Sequence, residues 1–170
     1  AATDEMVRIA LELRPDQVTL VPEKRAELPT EGGLDVVRER AATAAAIRAL
    51  HEGGVPVFLF VDPDPAQLDA SRELGASGVE IHTGTYCDAR EPTLVVRELG
   101  RVRDATSHAL GLGLEVHAGH GLDYQNVGPV AAIPGVAELN IGHSIVARAV
   151  LVGLERAVAE MAGRIRAAVP

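Results

Sequence analysis

Long apolar runs are missing from this sequence, basic charge is scarce, and cysteine occurs once, as Cys87. Each shortage excludes a class of protein. No stretch approaches the ~20 apolar residues of a membrane-spanning helix, and Ala1 to Leu13 lacks the charged-then-apolar layout of a secretory leader. A lone cysteine rules out an intrachain disulfide and any zinc site built on several thiolates, and it fits a reducing compartment. Lys+Arg total 16 against Asp+Glu 24, a formal net charge of -8. Such a balance does not displace counterions from a nucleic-acid backbone, so DNA and RNA are poor partners and small molecules better ones. Low-complexity tracts, long linkers and exact repeats are absent as well. What remains over 170 residues, 47% hydrophobic and 24% charged, is the composition of one globular domain with a core and a solvated surface. The expectation is a soluble protein of the cytoplasm.

Short β-branched runs alternate with stretches of helical period, the pattern of βαβ units on a parallel sheet. Strands are predicted at Gln17 to Val21, Val55 to Val61, Gly78 to His82, Leu114 to Ala118 and Ala137 to Ile141. Thr3-Asp4 caps an opening helix with Met6, Ile9, Ala10 and Leu13 on one face, and Pro15 ends it. A second helix follows Val37, Ala41, Ala44, Ala45 and Leu50 and closes at Gly53-Gly54. Asp64 before Pro65 starts a third, which runs to Gly75. Further helices span Pro92 to Leu112 and Tyr124 to Ala132, and Ser144 is expected to cap one last helix carrying Ile145, Ala149, Val150, Val158, Met161 and Ile165. Five strands and about six helices fit an open doubly wound sheet or a (β/α) barrel. An open nucleotide-binding sheet places a glycine fingerprint after its first strand, and Val21-Pro22-Glu23-Lys24 contains no glycine. The glycines and histidines gather after the later strands, which favours the barrel.

Those later segments read Glu80-Ile81-His82-Thr83-Gly84, His117-Ala118-Gly119-His120-Gly121 and Asn140-Ile141-Gly142-His143-Ser144. In a barrel they open into one mouth, where phosphate is often held after the last two strands. Glycine lets backbone N–H groups approach an anion, and the start of the final helix adds its positive end. A phosphorylated ligand at Gly119 to Gly121 and Gly142 to Ser144 follows. Alternation places Glu80 with His82, and Glu115 with His117, each pair on one face, toward the barrel interior or the helices. Glu80 is read as an internal ion-paired or hydrogen-bonded core residue, or as a functional one, because a buried unpaired carboxylate is costly. His120 and His143 are proton-moving candidates whose bland alternatives are a loop cap and a helix cap. His82 and His117 read as satisfied core histidines, His51 and His108 as surface residues, and Cys87 as a free thiol. Metal binding by converging histidines is the rival chemistry, though no H-E-x-x-H helix is present. The charged loop from Pro22 to Asp35 reads as an active-site lid or a solvated connection.

Five fragments, in order along the chain, carry a resemblance. Leu20-Val21-Pro22-Glu23-Lys24-Arg25, Thr30-Glu31-Gly32-Gly33-Leu34-Asp35-Val36, Glu80-Ile81-His82-Thr83-Gly84, Ala118-Gly119-His120-Gly121-Leu122 and Glu138-Leu139-Asn140-Ile141-Gly142-His143 resemble the pyridoxine 5'-phosphate synthase family. The resemblance implies a (β/α)8 TIM barrel, an enzyme of vitamin B6 biosynthesis. Such enzymes condense 1-deoxy-D-xylulose 5-phosphate with 3-amino-2-oxopropyl phosphate, closing the pyridine ring and releasing phosphate and water. Carried over residue by residue, it makes His120 a proton donor and Glu80 a transition-state stabiliser, with Gly121, Gly142 and His143 binding the aminoketone phosphate. A family threonine that contacts the deoxyxylulose phosphate is Pro29 here, and Thr30 beside it is the candidate replacement. The resemblance also implies no metal or organic cofactor and a homo-octamer. Ala1 to Met6 match just after the family's third strand. The chain, residues 1–170, is thus expected to be a single barrel domain represented by its C-terminal five βα units. The alternatives are a non-catalytic phosphosugar-binding or assembly fragment of that barrel, and a metal-dependent barrel hydrolase.

Overall fold

A computed structural model describes residues 1–22 and 32–169. Its described elements run in the order α1 (Asp4–Leu13), β1 (Val18–Leu20), α2 (Arg40–Glu52), β2 (Val57–Val61), α3 (Pro65–Glu73), β3 (Gly78–His82), α4 (Gly84–Asp88), α5 (Pro92–Gly111), β4 (Glu115–Gly119), α6 (Val127–Ala131), β5 (Val136–Asn140), α7 (His143–Val152) and α8 (Leu154–Ala168). The strands form one sheet in the order β1-β2-β3-β4-β5, every neighbouring pair parallel. Strict sequential order is what a barrel wall requires, because each crossover helix moves the chain one strand onward and never back. The predicted parallel α/β architecture is therefore the one observed.

Alternation divides the sheet into two chemically different faces. Val57, Leu59, Val61, Val79, Ile81, Val116 and Ala118 enter the apolar core beneath the helices. Complete burial of each valine, leucine or isoleucine side chain among them contributes ~1.5–3 kcal/mol. The intervening residues Phe58, Phe60, Glu80, His82 and His117 point the other way, where Phe58 stacks on His117 at 4.3 Å and Phe60 meets His82 at 5.0 Å. This aromatic and polar face is turned away from the apolar core, as the inner side of a barrel wall would be.

Several boundaries move by one or two residues for identifiable reasons. The N–H of Val55 donates to Leu50 O and that of Leu114 to Ala109 O, so each belongs to the end of a helix rather than to a strand. Thr3 and Asp64 cap α1 and α3 as expected, Asp64 Oδ1 accepting from Ala66 N at 2.9 Å with Pro65 in the first turn. The single last helix is two. Gly153 adopts φ 85 and ψ 152, outside the helical region, and separates α7 from α8. Ser144 does not cap: α7 starts at His143 with Gly142 in the cap position, and Ser144 Oγ donates to Leu122 O at 2.8 Å instead.

Candidate functional site

Parallel strands deliver the residues at their carboxyl ends to the same edge of the sheet, and here those of three strands converge. Glu80 on β3, His120 and Gly121 after β4, and Gly142 and His143 after β5 all line one open cleft of about 560 Å³. Five of the six residues singled out in the sequence are thus brought together. The sixth, Thr30, lies outside the described residues, as does most of the loop read as a lid.

Glu80 is half-buried, its carboxylate lying over the end of β4, where a Cβ at Gly119 would stand 2.5 Å from Glu80 Oε1. Burial pushes the Glu80 carboxyl up, a hydrogen bond with the Asn140 side chain and the nearby His117 oppose the rise, and Glu138 adds to it. Glu80 is hydrogen-bonded, as the core reading allowed, and open to the cleft at once, as a functional role requires.

The turn after β4 is unusual in its backbone. His120 has φ 78 and Gly121 φ 80, two consecutive left-handed residues. Glycine tolerates this, while a histidine there is strained and needs support from its surroundings. Thr83 supplies it. Its hydroxyl lies 2.7 Å from Gly119 O and 2.6 Å from His120 O, and its N–H donates to Gly119 O. Cys87 Sγ also points at His120 O, 3.6 Å away, and a Cβ on Gly121 would sit 2.8 Å from the Cys87 Cβ. Burial lifts the Cys87 thiol to about 11, so it stays protonated and un-nucleophilic at neutral pH.

At the opposite wall, Gly142 has open space where a Cβ would stand. No side chain among the described residues caps α7, which leaves the first backbone N–H groups of this helix for another acceptor. Asn140 and Ser144 complete this side of the cleft.

His82 and His117 are buried, as core histidines are, but neither is fully satisfied. His82 Nδ1 pairs with Asp62 Oδ1 at 2.9 Å and His117 Nε2 with Glu115 Oε1 at 3.0 Å, while His82 Nε2 and His117 Nδ1 have no hydrogen-bond partner among the described residues. His51 and His108 lie toward the surface, the latter bonded to Asp69. Among the described residues no three His, Cys, Asp or Glu side chains are grouped as a metal ion would require. Sequence reasoning passed over Asp62 and Thr83. The signal was available for both, since each directly follows a strand, as His120 does.

Comparison with known proteins adds the following. The family described as Pyridoxal phosphate biosynthesis protein PdxJ matches residues 1–167. A curated protein of Synechococcus sp. (strain JA-2-3B'a(2-13)), named Pyridoxine 5'-phosphate synthase, is 57% identical over 161 residues, 95% of this chain and 67% of its own length. One of the same name from Syntrophotalea carbinolica is 58% identical over 161 residues, with the same coverage. The chain spans about two thirds of the length of these relatives. Among solved structures, a mandelate oxidase mutant with the monooxide FMN adduct aligns with 96% of this chain and 52% of its own, at a TM-score of 0.61 and 18% identity, a likeness of fold alone.

Proposed function

Because this chain belongs to the PdxJ family, we propose that it carries the part of a pyridoxine 5'-phosphate synthase site built by the last five βα units of the barrel. The observation that carries the reading is the convergence of Glu80, His120, Gly121, Gly142 and His143 on one cleft at the carboxyl ends of β3, β4 and β5. The reaction would be condensation of 1-deoxy-D-xylulose 5-phosphate with 3-amino-2-oxopropyl phosphate to pyridoxine 5'-phosphate, phosphate and water.

In this reading the phosphate of the aminoketone rests against the uncapped start of α7 and the backbone of Gly121 and Gly142, with His143 beside it. Anchoring a dianion there positions the reacting carbons before any chemistry occurs. His120 hands a proton to the departing oxygen, a role suited to an imidazole near neutral pH. Glu80 stabilises charge that develops on the condensing carbon–nitrogen framework, and its raised affinity for a proton lets it donate a hydrogen bond when protonated. Thr30 is proposed to contact the deoxyxylulose phosphate. The remaining third of the relatives' length is proposed to supply three further βα units that close the barrel. A cytoplasmic location and assembly as a homo-octamer are proposed on the same family grounds.

The test is product formation from the two phosphates by protein expressed from the complete gene. Wild-type turnover is expected, and His120→Ala is expected to lower kcat by about 10²-fold or more, the usual worth of a general acid. Turnover unchanged by His120→Ala would remove that residue from its role. Phosphate binding with no turnover in the wild type would favour the non-catalytic phosphosugar-binding reading instead.

A further inference from the structure

One carboxylate at the rim of the sheet joins three elements. Asp62, the first residue after β2, accepts at Oδ1 both the Gly33 backbone N–H, at 3.1 Å, and the ring of His82, at 2.9 Å. Gly33 fits because it lacks a side chain: a Cβ there would run into the backbone of Val61 and Asp62. The next N–H, that of Leu34, donates to Phe60 O at 2.7 Å, so the segment entering α2 is fastened to the end of β2 and steadies Asp62 from one side. The bond from His82, then that from Gly33 and the nearby Arg101, hold the Asp62 carboxyl below the usual range despite its partial burial. It is therefore ionised throughout the range in which a histidine titrates. An ionised acceptor keeps a proton on His82 Nδ1 and fixes the plane of the ring.

The ring so held is 6% exposed and packs edge-on against two others, Phe60 at 5.0 Å and His120 at 4.9 Å between centroids. Phe60 and His120 are themselves 6.0 Å apart, which closes a three-ring cluster. Its Nε2 is buried, without a hydrogen-bond partner among the described residues, and faces Gly84, where a Cβ would lie 2.5 Å away. Packing alone does not account for a nitrogen in that state, since leaving it unsatisfied costs ~1–3 kcal/mol that an apolar ring of similar shape would avoid. His120 lies just past the last paired residue of β4, so the packing of Phe60 and His82 on its ring bears directly on where that ring points.

We infer that Asp62 and His82 are a positioning pair for His120: Asp62 fixes the tautomer and plane of His82, and the His82 ring, together with Phe60, sets the direction of the His120 ring in the cleft. His82 acts through His120 and makes no contact with the reacting atoms. The inference rests on the proton-donor role proposed for His120, but its structural half can be measured without turnover.

The experiment uses His82→Gln and Asp62→Asn in the protein expressed from the complete gene. The Asp62 change preserves side-chain shape at a half-exposed position, so it guards against a variant that merely fails to fold. His82→Gln is expected to lower kcat about ten- to a hundredfold with KM for both phosphates within about twofold. It is also expected to move the His120 ring resonances in ¹H–¹³C spectra. Asp62→Asn is expected to do both to a smaller extent with a melting temperature within about 2 °C of the parent. His120 resonances unmoved in both variants overturn the inference whatever the activity. So does a loss of kcat in Asp62→Asn matched by a raised KM and a lowered melting temperature, the mark of general loosening. Displaced His120 resonances beside full turnover in His120→Ala uphold the pair and count against the proton-donor role, so the two ideas fail separately.

Discussion

Glu80 shows how a single residue can be half-read from sequence. Alternation placed it with His82 on one face of β3, and the cost of a buried carboxylate marked it as paired or functional. Its actual partner, Asn140, lies sixty residues on and became adjacent only through β4 and β5. Strand period fixes the face a side chain takes but not what another strand sets opposite it. The same limit applies to His82 and His117, whose burial was legible and whose unpartnered nitrogens were not. Glu80 also yields a pH prediction. Burial raises its folded-state pKa above the unfolded value, so the folded state binds its proton more tightly. Its stabilising contribution is then fully present below the unfolded pKa, near the ordinary glutamate value of about 4.3, and is lost as pH rises through the folded pKa. At pH 7 the ionised, partly desolvated carboxylate opposes folding. Glu80→Gln is therefore expected to be more stable than the parent at pH 7 and equal to it below about pH 4, as read by urea denaturation across pH. Equal stability at pH 7 would show that Asn140 fully offsets the burial. A gain in stability together with a loss of turnover would mark Glu80 as held at a cost for catalysis.

Elements were legible where a local signal sets them. The caps Thr3 and Asp64 and the stop after α2 were found because each depends on a few consecutive residues. Misreadings arose where a longer-range bond competes. Ser144 is a good capping residue by type, yet its hydroxyl reaches across to Leu122 O and leaves the start of α7 open toward the cleft. The break at Gly153 was hidden because apolar spacing continues through it from Val150 to Val158. The short α4 escaped because its five residues are too few to show a period. Asp64 offers the cleanest check at this scale, for it is exposed, well bonded to Ala66 N at 2.9 Å, and not one of the residues that line the cleft. Asp64→Ala should cost ~0.5–2 kcal/mol of unfolding free energy with kcat and KM unchanged, measured by chemical denaturation beside the activity assay. An effect on turnover would mean that α3 reports to the site.

At the scale of the whole molecule, strand number and parallel order follow from the alternation of periods, while the finish at the two edges of the sheet does not. The strand β2 is covered on both faces, with all five of its residues buried. The edges differ. Along β5 the pattern turns half-exposed, α7 buries no residue, and Val146, Val150, Leu151 and Leu154 are 61%, 82%, 79% and 61% exposed. At the other edge β1 is three residues long and α1 likewise buries nothing, leaving Leu13 75% exposed. Parallel edges that no strand among the described residues pairs, flanked by apolar helix faces, are templates for association, and a net charge of -8 opposes this only through screened, long-range repulsion. The 170-residue chain by itself is therefore expected to associate with rising concentration and rising salt, the latter because salt removes the repulsion and leaves the apolar contact intact. Sedimentation velocity across concentration at low and high salt reads this directly. Ala137→Lys, at an exposed position of β5, places a charge on the open edge and is expected to weaken the association while shifting the melting temperature by less than about 2 °C. A chain that stays monomeric at every concentration and salt, or an Ala137→Lys variant that associates as the parent does, would mean that these edges are protected by something other than a neighbouring strand.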